Sequence, residues 1–286
     1  MVKELRSMEE YRTLIREFRA ECKKSFSNIY LMPDDIKRYI ELHKVSYKKD
    51  NNGIIFFFDE STHYSVYLYV NEKSEFVIPV LDKKLLVRNM YRTREKKTAL
   101  LSVQNHLQEL GFKQQETLVR IQGDSQNIFS QCKIIEKYVK EMKEKGYRCI
   151  APDFSRFDEI ERIIMDSGTI KDYQMIYRTP EEKRLLEEGT YLCIVNSSDE
   201  ICAGGVVDVD IAKRIVREGA AAVKTEYKMK GLAPILSYYR YKWLCDKNIP
   251  TIQGWISIYN ETSLRYHRSL GYCIMDKYVD EWLLDV

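Results

Sequence analysis

The second half of the chain predicts an α/β (α+β) fold, a sheet with helices packed on it. Apolar runs and helical periodicities alternate there in the order β-α-α-β-β-β-α-β-α-β. One strand leads through a glycine-bearing loop straight into a long helix. The chain as a whole has 286 residues, 44% of them hydrophobic and 31% charged, which suits two globular domains of ordinary size.

Element by element, residues 147–151 predict a strand. Residues 154–165 predict a helix with Ile160, Ile163 and Ile164 on its apolar face. Thr179 and Pro180 open the next helix: threonine caps, proline is tolerated in the first turn, and Glu181 and Glu182 suit the positive end of the dipole. Strands are predicted at 191–195 and 201–209, joined by a polar turn, and a third ends at Val223. A helix over 233–247, a strand over 251–258 and a helix over 262–270 come next. Tyr272 begins the closing strands.

The first half reads as a smaller α+β domain. Helices are predicted at 8–24, where Tyr11, Leu14, Ile15 and Phe18 recur at helical spacing, and at 33–47. Asn52 and Gly53 mark a turn. Strands are predicted at 54–58, 64–70 and 76–86, then a helix over 98–110 stopped by Gly111, and a strand over 112–121. The polar stretch 122–127 precedes a helix over 128–145. This divides the chain into a domain at 1–125, a connecting helix at 126–145 and a second domain at 146–286.

Composition narrows the function. Lys and Arg (46) exceed Asp and Glu (43) by three, which gives no argument for a nucleic-acid partner. Seven cysteines without a C-x-x-C pair predict reduced thiols in a cytoplasmic protein, and four scattered histidines offer no zinc site. The N-terminus is charged throughout and no apolar run reaches the roughly 18 residues of a membrane span, so no membrane partner is expected. Self-association as a homodimer is left open.

The chemistry concentrates in residues 218–233. Gly219, Ala220, Ala221 and Ala222 follow one another in a strand, where small residues are poor formers. They are useful where a ligand approaches the backbone. The strand then runs through a polar turn into Gly231, Leu232, Ala233 and a helix. Such a junction points unpaired amides and a helix dipole at an anion, and Lys228 and Lys230 add charge. A tight turn beside an alanine-rich buried strand is the plainer alternative.

The stretch Lys228, Met229, Lys230, Gly231, Leu232, Ala233 resembles the Q/R-x-x-G-x-G/A signature of the GNAT N-acyltransferases, with lysine in the first place. Downstream, Asn260, Ser263, Tyr266, His267, Gly271 and Tyr272 resemble the family's second element, N-x-x-S/A-x-x-hydrophobic-Y-x-x-x-G-F/Y. The resemblance covers roughly 146–286. It implies a mixed, mostly antiparallel central sheet and acetyl-CoA as acyl donor. The amides from Lys228 to Ala233 would hold the pyrophosphate. Backbone at Ala222 and Val223 would pair with the pantetheine arm, in a slot where this strand parts from the one at 251–258. Asn260 would contact the cofactor near its thiol.

The family's general acid is the tyrosine four residues before the glycine. Here His267 stands in that place and Tyr266 one residue earlier, about 100° away on a helix. Three readings stay open: His267 is the acid, Tyr266 is, after a small rotation of the helix, or solvent protonates the thiolate. Glu218 is a candidate base, or an ordinary strand-end carboxylate; a bulge expected in its strand leaves its direction open.

In the first half no glycine loop is found. The basic run 88–97 stands where one would be, and reads as a solvated face. Leu110, Gly111 and Phe112 echo Leu270, Gly271 and Tyr272, which suggests a degenerate second GNAT copy; an unrelated α+β domain with a common helix stop is the alternative. The expected activity is acetyl transfer from acetyl-CoA to a primary amine of a small molecule by direct attack on the thioester. The alternatives are a non-catalytic acyl-CoA-binding or scaffold protein, and a tandem-GNAT aminoacyl transferase that uses aminoacyl-tRNA.

Overall fold

The structure is a computed structural model. It describes residues 1–22, 24–71, 75–93, 98–132, 135–168, 170–174, 183, 189–210 and 214–285. The chain forms two compact units, one of residues 1–118 with 276–286, the other of residues 119–275.

In the first unit, β1 (Lys3–Glu4), β3 (Val45–Asp50), β4 (Gly53–Asp59) and β5 (His63–Asn71) lie side by side, and β6 (Lys84–Tyr91) follows β5 in the sheet. A short strand, β2 (Ser25–Ser27), pairs with β5. Every pair is antiparallel except β5 and β6. Helices α1 (Met8–Glu21) and α2 (Pro33–Glu41) cover one face: Tyr11, Leu14, Phe18, Ile36 and Ile40 pack on Phe56, Phe58 and Tyr67. Helix α3 (Thr98–Glu109) packs Val103 and Leu107 on the other face.

Two expectations for this half need correction. The helix predicted over 33–47 stops at Glu41, because Val45 and Tyr47 alternate into the core as strand residues. The strand predicted over 76–86 begins only at Lys84; Phe76 and Ile78 are buried without pairing into the sheet.

The second unit sets β8 (Arg148–Ile150), β9 (Tyr191–Val195), β10 (Ile201–Asp210), β11 (Ile215–Val223) and β12 (Thr251–Ser257) in spatial order. Pairing is antiparallel up to β11 and parallel between β11 and β12. The predicted helix over 128–145 is two, α4 (Ser125–Cys132) and α5 (Glu136–Glu144). Helix α6 (Phe157–Asp166) packs Ile160, Ile163 and Ile164 against Tyr191, Cys193 and Ala222. Helix α7 (Leu232–Asp246) packs Leu232, Ile235 and Leu236 against Ala203 and Ala221, and α8 (Glu261–Ser269) comes after β12. The helix expected at Thr179 and Pro180, with Glu181 and Glu182, lies outside the described residues.

The compact units do not follow the expected limits at 125 and 146, because the closing strands change places. Strand β7 (Lys113–Asp124) lies beside β12, where Gln253 Nε2 donates to Gln122 Oε1 at 3.0 Å. Strand β13 (Cys273–Leu284) pairs antiparallel with β6 in the first unit. Buried carboxylates fix it there. Asp280 accepts from Tyr91, Gln104 and Thr117 at 3.2, 2.6 and 2.8 Å, and Glu281 accepts from Arg88 Nε at 2.8 Å.

Among the described residues no helix is long and apolar enough to cross a membrane, and no cluster of His, Cys, Asp or Glu could hold a metal ion. All seven cysteines are free thiols; Cys132, Cys193 and Cys202 are buried, whereas Cys273 is exposed. Burial pushes the Cys149 and Cys193 thiols up to about 12, which keeps them protonated and unreactive.

Candidate active site

Strands β11 and β12 pair only at Ile215 with Thr251 and at Val216 with Ile252. Beyond that point β11 keeps β10 on one edge and, among the described residues, has no strand on the other. The expected bulge is present: Asp208 pairs with Glu218 and Val209 with Val216, so Arg217 has no opposite number. Lys224 N donates to Cys202 O at 2.9 Å, turning that residue's polar groups toward β10. Backbone groups alternate edges along a strand. Ala222 therefore faces β10, and Val223, Ala221 and Gly219 present their N–H and C=O to the open edge. Of the two residues expected to pair with a ligand, Val223 is so placed and Ala222 is not.

The open edge ends in the loop that the motif marks. Tyr227 anchors its start, donating to Glu200 at 2.8 Å and accepting from Asn196 at 3.0 Å. Met229 and Gly231 then take positive φ, 63° and 76°. Among the described residues, the amides of Met229, Lys230, Gly231, Leu232 and Ala233 have no acceptor. The first turn of α7 carries no acidic residue and no side-chain cap. A Cβ on Gly231 would meet nothing within 4 Å, so the space above it is open. Lys230 stands over the Tyr227 ring at 4.5 Å, and Lys228 is exposed. Successive free amides, a helix dipole and two lysines suit a pyrophosphate.

The second motif shapes α8. Asn260 caps the helix, its Oδ1 accepting from Ser263 N at 3.0 Å, which leaves its amide nitrogen free. His267 Nδ1 donates to Ser263 O at 2.8 Å, so the lone pair sits on Nε2. Burial pushes this imidazole below its usual range, against the bond to Ser263, and the charge of Arg240 adds to the lowering. Tyr266 differs. Its hydroxyl is buried and makes no full hydrogen bond among the described residues; burial holds its phenol above the usual range, against the nearby Ser237 hydroxyl, which lowers it. At neutral pH Tyr266 thus keeps its proton, while His267 carries a lone pair on Nε2. The Glu218 side chain lies outside the described residues.

Sequence reasoning missed Arg240. This residue of α7 lies flat on the sheet. Its Cδ stands 3.3 Å from where a Cβ on Gly205 would be, its guanidinium fills the place of a Cβ on Gly219, and Nη2 donates to Val206 O at 3.3 Å. Gly219 is small for this side chain and for the Val206 carbonyl, whose oxygen lies 2.7 Å from where a Cβ would be. The signal was an arginine inside an aromatic helix, with glycines inside the two strands beneath it.

The first unit repeats the plan with two differences. Strand β5 pairs with β6 only from His63 with Lys84 to Val66 with Val87, then the two part. Residues 75–83 form no helix there, so no strand–loop–helix junction follows β5. The open edge is also filled. Since β4 holds one edge of β5 over its length, β2 lies on the other. Asn28 extends that strand: its N–H donates to Leu68 O at 3.3 Å, its Oδ1 accepts from Leu68 N at 2.6 Å, and its Nδ2 donates to Arg88 O at 3.0 Å. Of the basic run 88–97, Arg88 pairs with Glu281, and residues 94–97 lie outside the described residues.

A three-stranded antiparallel run, a parallel strand that parts from it and a helix that returns to a closing strand define the GNAT fold. No family model and no curated protein matches the chain. Solved structures do. The GCN5-related glucosamine N-acetyltransferase region of a fungal multi-domain β-N-acetylglucosaminidase matches 99% of this chain with a TM-score of 0.63 at 11% identity. This chain spans 38% of that protein. A GCN5-related N-acetyltransferase from Sphaerobacter thermophilus has a TM-score of 0.55 at 10% identity, over 90% of this chain and 86% of its own. A tandem GNAT protein from the clavulanic acid biosynthesis pathway has a TM-score of 0.51 at 8% identity, over 100% and 98%. At these identities the likeness establishes the fold.

Proposed function

We propose that the chain transfers an acyl group, in the simplest case acetyl, from a CoA thioester to the primary amine of a small molecule. The observation that carries the reading is the open edge of β11 running into five unpartnered amides at the start of α7. The loop receives the pyrophosphate, with Lys228 and Lys230 beside it. The open groups of Val223 and Ala221 receive the amides of the pantetheine arm as an added strand would. Asn260, with its amide nitrogen free, stands ready for the cofactor.

The amine attacks the thioester carbon directly, so catalysis rests on holding the two reactants together and on managing charge. Tyr266 is the better-supplied acid for the departing thiolate, because burial keeps its phenol protonated and no full hydrogen bond ties that proton down among the described residues. His267 is better supplied to accept one. A cytoplasmic setting fits this donor.

Release of free thiol from acetyl-CoA, screened against amines that include an amino sugar, tests the reading. The amino sugar is the acceptor named for one structural neighbour. Amine-dependent thiol release supports it. Tight CoA binding with no turnover on any amine replaces the enzyme with an acyl-CoA-binding protein, and absence of CoA binding ends the reading.

A further inference from the structure

We propose that Arg240 holds the departing thiolate by its charge, at the inner end of the open edge. The inference rests on the acyl-transfer reading above. An arm laid along β11 from the loop passes Val223 and Ala221 and reaches Gly219 about 13 Å beyond Val223, at roughly 3.3 Å per residue. Beyond Gly219 the way closes, because β11 rejoins β12 at Val216. The reacting end of the arm therefore comes to rest at Gly219, and the guanidinium of Arg240 lies over that residue.

Among the described residues no carboxylate comes within ion-pair distance of Arg240, and its only hydrogen bond is to Val206 O. Among the described residues its Nε is buried without a partner. The same charge bears on Tyr266, His267, Tyr241 and Tyr272. A guanidinium placed in part-buried surroundings without a counter-ion favours any anion formed beside it. Two strand glycines, Gly205 and Gly219, leave room for this side chain, so its position is built into the sheet.

The reaction forms such an anion. The amine lone pair makes the C–N bond as the carbonyl oxygen takes up the π electrons. That pair then returns, the C–S bond breaks, and sulfur leaves with its bonding electrons. The extra proton on nitrogen passes to His267 or solvent, and the thiolate is protonated by Tyr266 or solvent. Arg240 keeps its own protons throughout.

The test is the thiol of bound CoA, followed by thiolate absorbance against desulfo-CoA, which cancels the protein's own cysteines. Below the titration of free CoA, the wild-type complex should hold roughly tenfold more thiolate, the effect of an opposite charge in contact. Arg240→Met should still bind CoA but lose that excess, and Arg240→Lys should recover part of it. In turnover, Arg240→Met should lower kcat with KM for acetyl-CoA little changed. Bound CoA that titrates like free CoA in the wild type overturns the inference, whatever the variants do, and leaves the acyl-transfer reading standing. A raised KM with unchanged kcat also overturns it, since it marks Arg240 as a ground-state contact. Failure of the wild type to bind CoA overturns both.

Discussion

His267 donates its Nδ1 proton to the carbonyl of Ser263, one helical turn back at 2.8 Å, and so carries its lone pair on Nε2. That bond decides how the ring responds to pH. Protonation must place a second proton on a part-buried ring already lowered by burial. The folded protein therefore binds fewer protons at this site than the unfolded chain below the ordinary histidine value of about 6.5.

The sign is then fixed. Stability contributed by neutral His267 is fully present above about 6.5 and is lost as pH falls below it. Urea midpoints for the wild type and His267→Gln should run parallel at neutral pH. They should diverge on acidification, the wild type losing more. Relative gain by the wild type in acid would mean the ring is held charged. Turnover should follow the same direction, falling as Nε2 takes up a proton. If His267 were the acid, turnover would instead fall as pH rises.

Much of this site was legible in the sequence, because its markers are local. Gly271 adopts the left-handed backbone that its place after a helix suggests, and Gly231 takes the same backbone in the loop that the first motif marks. Asn260 caps the helix that the second motif opens. Arg240 was not legible, since helical periodicity tells which face a residue takes but not which strand glycines lie beneath it. The exchange of β7 and β13 was hidden for a similar reason. Both strands have ordinary alternation, and the partner of a strand is a tertiary choice. The filling of the first slot depends on Ser25–Ser27 and Asn28, too short a stretch to show any period.

Gly219 and Arg240 should behave as one unit under mutation. Gly219→Ala forces a methyl into the guanidinium and should cost about 1–3 kcal/mol, the usual range for overpacking. Placed in an Arg240→Ala background, the same change should cost less, by the part due to the guanidinium; the contact with Val206 O, 2.7 Å from the added methyl, remains. A double-mutant cycle by chemical denaturation should thus show a coupling of at least about 0.5 kcal/mol. Simple additivity would show that Gly219 is small for some other reason.

Asp280 should matter to the first unit although it lies near the end of the chain. It is 3% exposed and accepts from Tyr91, Gln104 and Thr117. Asp280→Leu leaves three donors without their acceptor and should cost about 3 kcal/mol or more. The loss should appear as a lowered denaturation midpoint. A cost within about 0.5 kcal/mol, the scale of an ordinary surface change, would contradict the network.

Titration with CoA should give one site per chain, and it should lie in the second unit. The two units share a parallel strand pair that parts, so the fold alone allows two sites. The difference lies in the segment after the parted strand. In the second unit that strand leads to free amides on an open loop. In the first, β2 and Asn28 already occupy the edge, and residues 75–83 form no helix to receive a pyrophosphate. Gly231→Val should abolish the single site. Its side chain would enter the space over the loop, at a φ of 76° that valine resists by roughly 1–2 kcal/mol. The fold should survive that cost, as circular dichroism would verify. Asn28→Ala should lower stability through the lost bonds to Leu68 and Arg88, by about 1–3 kcal/mol. It should leave the stoichiometry at one, because clearing the edge does not supply the missing amides. Heat from a second binding event in Asn28→Ala would show that the self-paired strand alone keeps the first unit closed.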